Sequence, residues 1–349
     1  MTEYVFILQK AGDCLTSKEL AKLAGVSQAT VSRCLNNSPL VSEETKKLVR
    51  ELAAKHSFQL NSSARGLKTK RTGVIGYIFS EDFTGFTNHY TQSDLYYRLR
   101  MKLMEKYIDV VPVFDDVDSH GVPNIEKFIS TKRFDALVIN RPNLSDELKE
   151  MLKNTKTPYL FIYDTNEEVT NEFMIYPSHK KMGYMVGKAF CERGYTRFVE
   201  IFGTKGRIDG LHKHFGFLSA LHDYGIDLPE DHMLYGNYRF DDALKTVSAH
   251  IDQFKDVQAC FVQNDMMALG TIEALRRHGI SVPEQVKIIG SDNIPMATWF
   301  KPFLTTMTLD YEKIISTTAE WVIDLINSSE PPPPRRLEIE AKIIYRDTF

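Results

Sequence analysis

Between Thr16 and Lys55 the apolar residues recur at helical spacing in three short bursts, each opened by a hydroxyl residue. The first burst, Leu20, Ala21, Leu23 and Ala24, follows Thr16 and Glu19 in the S/T-x-x-E arrangement of a capping box and stops at Gly25. Ser27 stands where a second helix would be capped. In that helix Val31 and Leu35 are spaced to pack back onto the first, which leaves Gln28, Ala29, Ser32 and Arg33 facing outward. Ser42 opens a third helix running to Lys55, with Glu43 and Glu44 in its first turn and Leu48, Leu52 and Ala53 on one stripe. Two short helices crossing through a tight turn at Gly25 and Val26, closed by a third, have helix-turn-helix geometry, in which the second helix presents short side chains to a DNA major groove. Taken alone, the same three-helix pattern also fits a packing or protein-docking module.

From Thr72 the period changes. Gly73 to Phe79, Asp109 to Phe114, Asp135 to Asn140 and Tyr159 to Asp164 are short β-rich runs separated by helical stretches. A second series follows at Arg197 to Gly203, Ala259 to Asn264 and Lys287 to Asp292. Strands alternating with helices predict parallel sheets covered on both faces, here two doubly wound halves with a ligand cleft at the carboxyl ends of the strands. Asn264 and Asp292 end their strands facing that cleft, where an amide and a carboxylate can each pair with vicinal hydroxyls. The same two residues would equally serve as caps for the helices after them. The fold expected is therefore an all-α helix-turn-helix head joined to an α/β body of two parallel-sheet lobes.

Composition adds three constraints. A chain of 349 residues with 43% hydrophobic and 26% charged content can bury two or three cores, and no apolar run approaches the length of a membrane span. With no basic-then-apolar leader, a soluble cytoplasmic protein is expected. The four cysteines, Cys14, Cys34, Cys191 and Cys260, lack the spacing of a zinc site or redox pair and read as buried thiols. Charge is uneven: residues 16–71 hold eleven Lys or Arg against four Glu, so a head with seven excess positive charges is joined to a remainder that must carry −10, given the chain total of −3. That asymmetry is the footprint of a polyanion-binding head. No G-x-S-x-G, P-loop, H-E-x-x-H or interpretable acid pair is present, so no enzyme activity and no cofactor are expected. His179, His212 and His214 have no companion carboxylates at firm ligand spacing and read as cleft or loop residues, not metal ligands.

The residues of the head carry a resemblance. Thr16, Glu19, Leu20, Ala21, Ala24, Gly25, Val26, Ser27, Thr30, Val31, Ser32, Arg33 and Asn36 stand in register with the opening motif of the lactose-repressor (LacI/GalR) family of bacterial transcription regulators. Ala64, Arg65, Leu67 and Lys68 match that family's hinge, Gly216 to Leu221 its G-F-x-x-A-L, Phe261 to Asn293 its long second-lobe motif, and Pro302 to Met307 its P-x-L-T-T-v. The similarity covers the chain after residue 15; residues 1–15 form an extension in which Tyr4 to Leu8 read as strand-like.

What the resemblance implies is specific. The family's head binds a near-palindromic double-stranded DNA operator as a homodimer, so Arg33 would read a base edge, Gln28 and Ala29 would tune specificity, and Ser27, Thr30, Ser32, Asn36, Lys46, Arg65 and Lys68 would hold phosphate or groove. Leu67 would wedge a base step open from the minor groove. The hinge departs from the family at Leu60, commonly Pro, and at Gly66. The domains are then residues 1–15, a head at 16–60, a hinge at 61–71 and a body at 72–349, resembling a periplasmic binding protein, with lobe 1 near 72–173 and 304–335 and lobe 2 near 174–303 and 336–349. Three chain crossings fall near 173, 303 and 335. In the cleft the family's effector-holding arginine is replaced by Lys213, with Arg207 nearby, and Asn264 and Asp292 match the effector-binding pair. In lobe 1, Asp82, Phe83 and Phe86 are candidates in a loop that departs from the family pattern, and Ser178 and His179 stand where the family has D-N. The resemblance implies a repressor controlled by a sugar, sugar acid or sugar phosphate, dimeric for want of a leucine-heptad tail. The alternative is a sugar-binding or sugar-processing protein with a vestigial head.

Overall fold

The computed structural model describes residues 15–35, 38–56, 58, 71–79, 83, 85, 89–114, 124–131, 133–141, 144–163, 172–330 and 332–349. Asn36, Arg65, Leu67, Lys68, Asp82 and Phe86, and the extension before Leu15, lie outside the described residues. The chain divides into two compact units, residues 1–72 and 73–349.

Among the described residues the small unit holds three helices, α1 (Ser17–Ala24), α2 (Gln28–Leu35) and α3 (Glu43–Lys55). Thr16 and Glu19 form the reciprocal capping box, and Gly25, at φ +64, ends α1 in the left-handed conformation that a side chain would resist. Ser27 Oγ accepts from the Thr30 amide at 3.1 Å, and Ser42 Oγ from the Thr45 amide at 3.3 Å, satisfying donors at the starts of α2 and α3. Leu20, Ala21, Ala24, Val31, Cys34, Val49 and Ala53 form the core. Of the stripe expected on α3, Ala53 is buried and Leu52 packs against the core, but Leu48 is 45% exposed and the fully buried Val49 takes its place, because a 13-residue helix packed against two short ones buries only a narrow seam. Leu23, expected on the buried face of α1, is likewise exposed.

The large unit holds two six-stranded sheets among the described residues. In lobe 1, β1 (Val74–Ile78), β2 (Asp109–Val113), β3 (Ala136–Ile139), β4 (Tyr159–Ile162), β5 (Met174–Pro177) and β11 (Arg336–Ile339) lie in the order β11-β5-β4-β3-β1-β2, all parallel. In lobe 2, β6 (Phe198–Phe202), β7 (Met233–Tyr235), β8 (Ala259–Val262), β9 (Lys287–Ser291), β10 (Thr305–Leu309) and β12 (Ala341–Ile344) lie in the order β12-β10-β9-β8-β6-β7. Only β12 runs antiparallel, against β10 at the sheet edge. The central strands β3 and β8 are apolar throughout, as burial on both faces requires, and β6 is apolar except for the fully buried Glu200.

The crossings sit later than 173, 303 and 335. β5 still pairs with β4 in lobe 1, so the chain first crosses at Ser178; β10 still pairs with β9 in lobe 2, so the second crossing is at Asp310; β11 pairs with β5, so the third is at Glu340. Each sequence break marks the turn before the last strand of a lobe, and only strand pairing reveals that the strand after it has not yet changed sheets.

Helices cover both sheets: α4 (Tyr90–Met104), α5 (Asn124–Ser130), α6 (Asp146–Asn154), α7 (His179–Cys191), α8 (Ile208–Asp223), α9 (Phe240–Ala249), α10 (Asp265–Arg277) and α11 (Tyr311–Asn327). The tightest packing is between α7 and α8. A Cβ at Gly183 would stand 1.7 Å from the Lys213 carbonyl oxygen, and one at Gly216 would stand 1.8 Å from that of Lys180. These two glycines let the helix backbones touch, and that contact sets the wall of the cleft.

Candidate functional site

In the head, α2 presents Ser27, Gln28, Ala29 and Arg33 exposed, with Thr30 and Ser32 half-buried beside them. Ser27 Oγ also lies 2.8 Å from Thr30 Oγ1, and the Gln28 amide donates to Ser17 Oγ at 2.6 Å, so the first turn of α2 is pinned to α1. Lys46 differs from its expected role: its stem is buried and its ammonium pairs with Glu43 at 2.7 Å, which commits that charge within the head.

In the body, the carboxyl ends of both sheets converge on a cleft that is partly open to solvent and lined from both lobes. Lobe 1 contributes His89, Tyr90, Thr91, Gln92 and Leu95 from the start of α4, Asn140 after β3 and Tyr163 after β4. Lobe 2 contributes His179, Arg207, Asp209, Lys213, Tyr238, Gln263, Asn264, Met266, Asp292 and Ile294.

Four of the expected effector residues, Arg207, Lys213, Asn264 and Asp292, meet in this cleft. Phe83 does not line it: the ring packs 4.2 Å from Phe79 and 5.7 Å from Phe114, in an aromatic cluster beneath the sheet end. Lobe 1 offers the polar start of α4 instead. Asn264 is the cap its spacing allowed, with Oδ1 accepting from the Met267 amide at 2.9 Å at the start of α10, while Nδ2 donates to the Tyr238 carbonyl at 3.2 Å. Arg207 forks onto Asp209, at 2.9 Å from Nε and 3.3 Å from an Nη, under the face of the Tyr238 ring. Tyr238 donates to the same carboxylate at 3.1 Å. Burial alone would raise Asp209, but Arg207 and Lys213 more than offset it and hold the carboxyl well below its usual range. Lys213 donates to the Gln263 carbonyl at 3.2 Å. Below the floor, Glu200, fully buried, accepts from the Gln263 amide at 2.8 Å and lies 2.7 Å from His214 Nδ1.

Asp292 sits at φ +119, a conformation side chains rarely adopt, held there by its amide donating to Met307 and by the Tyr311 hydroxyl donating to its carbonyl. Backbone strain of this kind clusters at binding sites. Burial raises its carboxyl to about 7, with Lys213 and the Thr91 hydroxyl of lobe 1 opposing and Asp209 adding to the rise. A folded pKa above the unfolded one means stability that is complete below about pH 4 and lost as pH rises through about 7. Asp292→Asn is therefore expected to raise the thermal midpoint more at pH 8 than at pH 5; an equal shift at both would show that the carboxyl titrates normally. The isosteric amide keeps the shape while removing the charge.

Sequence reasoning missed Asp209, Tyr238, Gln263 and Thr91 altogether. The spacing Arg207-x-Asp209 was a readable signal, whereas Tyr238 and Gln263 join the site only through packing across the sheet.

The comparisons agree along the whole chain. Residues 16–61 match the model of bacterial regulatory proteins of the lacI family, and residues 188–349 match that of the periplasmic binding protein-like domain. The HTH-type transcriptional repressor PurR of Vibrio cholerae is 27% identical over 95% of this chain and 97% of its own. A probable HTH-type transcriptional repressor ExuR of Bacillus subtilis is 26% identical over 96% and 98%. Among solved structures, the Lac repressor bound to ONPG in its repressed state superposes with a TM-score of 0.78 at 20% identity, covering 97% of this chain and all of that one. The regulator CelR in complex with cellobiose superposes at 0.70 with 23% identity, covering 96% and 99%. A lacI-type head, a binding-protein-like body and full-length relatives of the same two-part build together place this chain in the LacI/GalR family of transcription regulators.

Proposed function

We propose that this chain is a transcription repressor whose operator affinity is set by a small molecule held between the lobes of its body. The observation that carries this reading is the pairing, in one chain, of a helix-turn-helix head with a two-lobed cleft lined from both sides by polar groups. In the head, Arg33 reads a base edge, most naturally guanine, and Gln28 and Ala29 set which neighbours are tolerated. Ser27, Thr30 and Ser32 hold phosphates; Asn36, Arg65, Leu67 and Lys68 complete the groove contacts and the minor-groove wedge. Two heads on two half-sites require a homodimer.

In the body the effector is a small carbohydrate-derived molecule, bound by Asn264, Asp292, Lys213 and the Arg207–Asp209 pair, with Asp82 as a lobe 1 contact. Ligand contacts from both lobes favour one lobe arrangement over the other, and the effector acts only to the extent of that preference. Support for the carbohydrate class comes from the likeness to a regulator in complex with cellobiose. Chemistry within the cleft is not part of this reading, and full-length relatives of the same build are named as repressors.

The direct test of the head is binding to a DNA duplex selected from a random pool, measured across a salt series. Phosphate neutralisation releases counterions, so affinity falls steeply, by about 10³-fold or more between 50 and 200 mM salt for a dimer making six or more phosphate contacts. A flat salt profile, or no enrichment of any sequence, would leave only the sugar-binding reading.

A further inference from the structure

Three buried polar groups on the lobe 2 wall of the cleft lack what their chemistry calls for. His179, at the start of α7, is 4% exposed, and neither ring nitrogen has a hydrogen-bond partner. Lys213, one turn into α8, is 5% exposed; its ammonium donates to one carbonyl, and among the described residues no carboxylate lies within 4 Å of it. The Oε1 of Gln263, in the same wall, is buried without a partner. Burying such groups unpaired costs free energy that a well-packed wall does not normally concede. The glycine contact holds α7 against α8, which keeps His179 and Lys213 in place in this wall. Lys213 is also the strongest charged neighbour of His179, which burial first and Lys213 second hold down to about 3 and therefore neutral. A neutral imidazole offers one N–H and one acceptor.

We infer that this wall takes the carboxylate of a sugar acid, seated between the Lys213 ammonium and the His179 ring, with a ligand hydroxyl donating to Gln263. The inference rests on the cleft being the effector site and narrows its ligand to one class. Charge decides for a carboxylate over a phosphate. Arg207 is forked onto Asp209 and, among the described residues, Lys213 has no carboxylate at ion-pair distance, so the wall offers a ligand one ammonium beside the Asp209 and Asp292 carboxyls, and a dianion would meet those carboxyls with only one cation to offset it. A carboxylate oxygen also accepts from an ammonium and an imidazole N–H together, while the sugar ring behind it supplies hydroxyls to Gln263, Asn264 and Asp292.

The test is calorimetric titration of the full chain with matched pairs that differ at one carbon: D-glucuronate against D-glucose, D-galacturonate against D-galactose, and D-glucose 6-phosphate as the dianion. At least one acid is expected to bind about tenfold or more tighter than its neutral parent and than the phosphate. Lys213→Met should reduce that preference to within about threefold and Lys213→Arg should retain it; His179→Phe should weaken the acid without improving the neutral sugar. The thermal midpoint of each variant without ligand checks that it folds. Equal or tighter binding of the neutral sugars or of the phosphate overturns the carboxylate assignment while leaving the cleft as the effector site. Absence of binding by every member overturns the assignment as well, and if no purine or disaccharide binds either, the effector reading of the cleft falls with it.

Discussion

Gly183→Val is expected to cost about 3 kcal/mol or more and to lower the thermal midpoint by about 10 °C, the largest effect of any single side chain added to the body. The reason is geometric. The new Cβ would stand 1.7 Å from the Lys213 carbonyl oxygen and 2.9 Å from the Phe217 amide nitrogen, and both are helix backbone with no rotamer to turn aside. Gly216 meets the Lys180 carbonyl and the Tyr184 amide in the same way from the other helix, so α7 and α8 would have to separate. Separation would strip contacts from Phe190, Phe198 and Phe217, whose stacked and edge-on rings fill the core under the two helices. It would also move Lys213 and His179 apart, so ligand binding should fail along with stability. Ser219→Ala, at an exposed position of α8, is the control and should shift the midpoint by less than about 1 °C. A Gly183→Val protein that melts with the wild type would mean that the two helices pack less closely than described.

Arg33→Ala is expected to weaken binding to the selected operator by about 1 to 3 kcal/mol, roughly 5-fold to 150-fold, with little effect on random DNA. Arg33 is exposed on α2, while the opposite face of that helix, Val31 and Cys34, is fully buried against α1 and α3. The side chain contributes nothing to the head's core, and its loss should therefore leave the head's own melting unchanged. A bidentate contact to one guanine would be lost at one base pair per half-site, and competition with duplexes altered at that position would show relaxed discrimination there and nowhere else. Equal losses on operator and random DNA would assign Arg33 to the phosphate backbone.

The head was the most legible part of the chain because its signals are local. The Thr16–Glu19 box, Gly25 at positive φ and the caps at Ser27 and Ser42 each involve residues within a few positions of one another. On α3, Leu52 and Ala53 face the core as expected and only Leu48 does not, since Leu48 and Val49 are adjacent and the period of 3.6 does not by itself choose between them. In the body, seven strands were readable as apolar runs, whereas β5, β7, β10, β11 and β12 were not. All of these but the three-residue β7 lie beside the crossings, and their lobe is fixed by pairing with partners such as β11 with β5, more than 150 residues apart.

The cleft divides along the same line. Asn264 and Asp292 end strands that follow a long local motif, so their placement could be read from the chain. Asp209 could have been read from its spacing to Arg207 but is recognised as its partner only when the fork is seen. His179 was expected in the cleft or a loop and lines the cleft, but its near-complete burial is not announced by its neighbours in sequence. Phe83 failed for the converse reason: an aromatic near a strand end also satisfies itself by joining a neighbouring ring cluster, here with Phe79 and Phe114.

The central claim is that occupancy of the cleft governs the grip of the head on DNA. Fluorescence anisotropy of a labelled selected operator, titrated with the full chain at one salt concentration in the presence and absence of the tightest ligand from the calorimetric panel, tests it most directly. The account predicts a change in operator affinity of about fivefold or more, in either direction, together with an equal change in ligand affinity when operator is present, since coupling between two sites is reciprocal. Identical operator affinities with the cleft empty and saturated would contradict it.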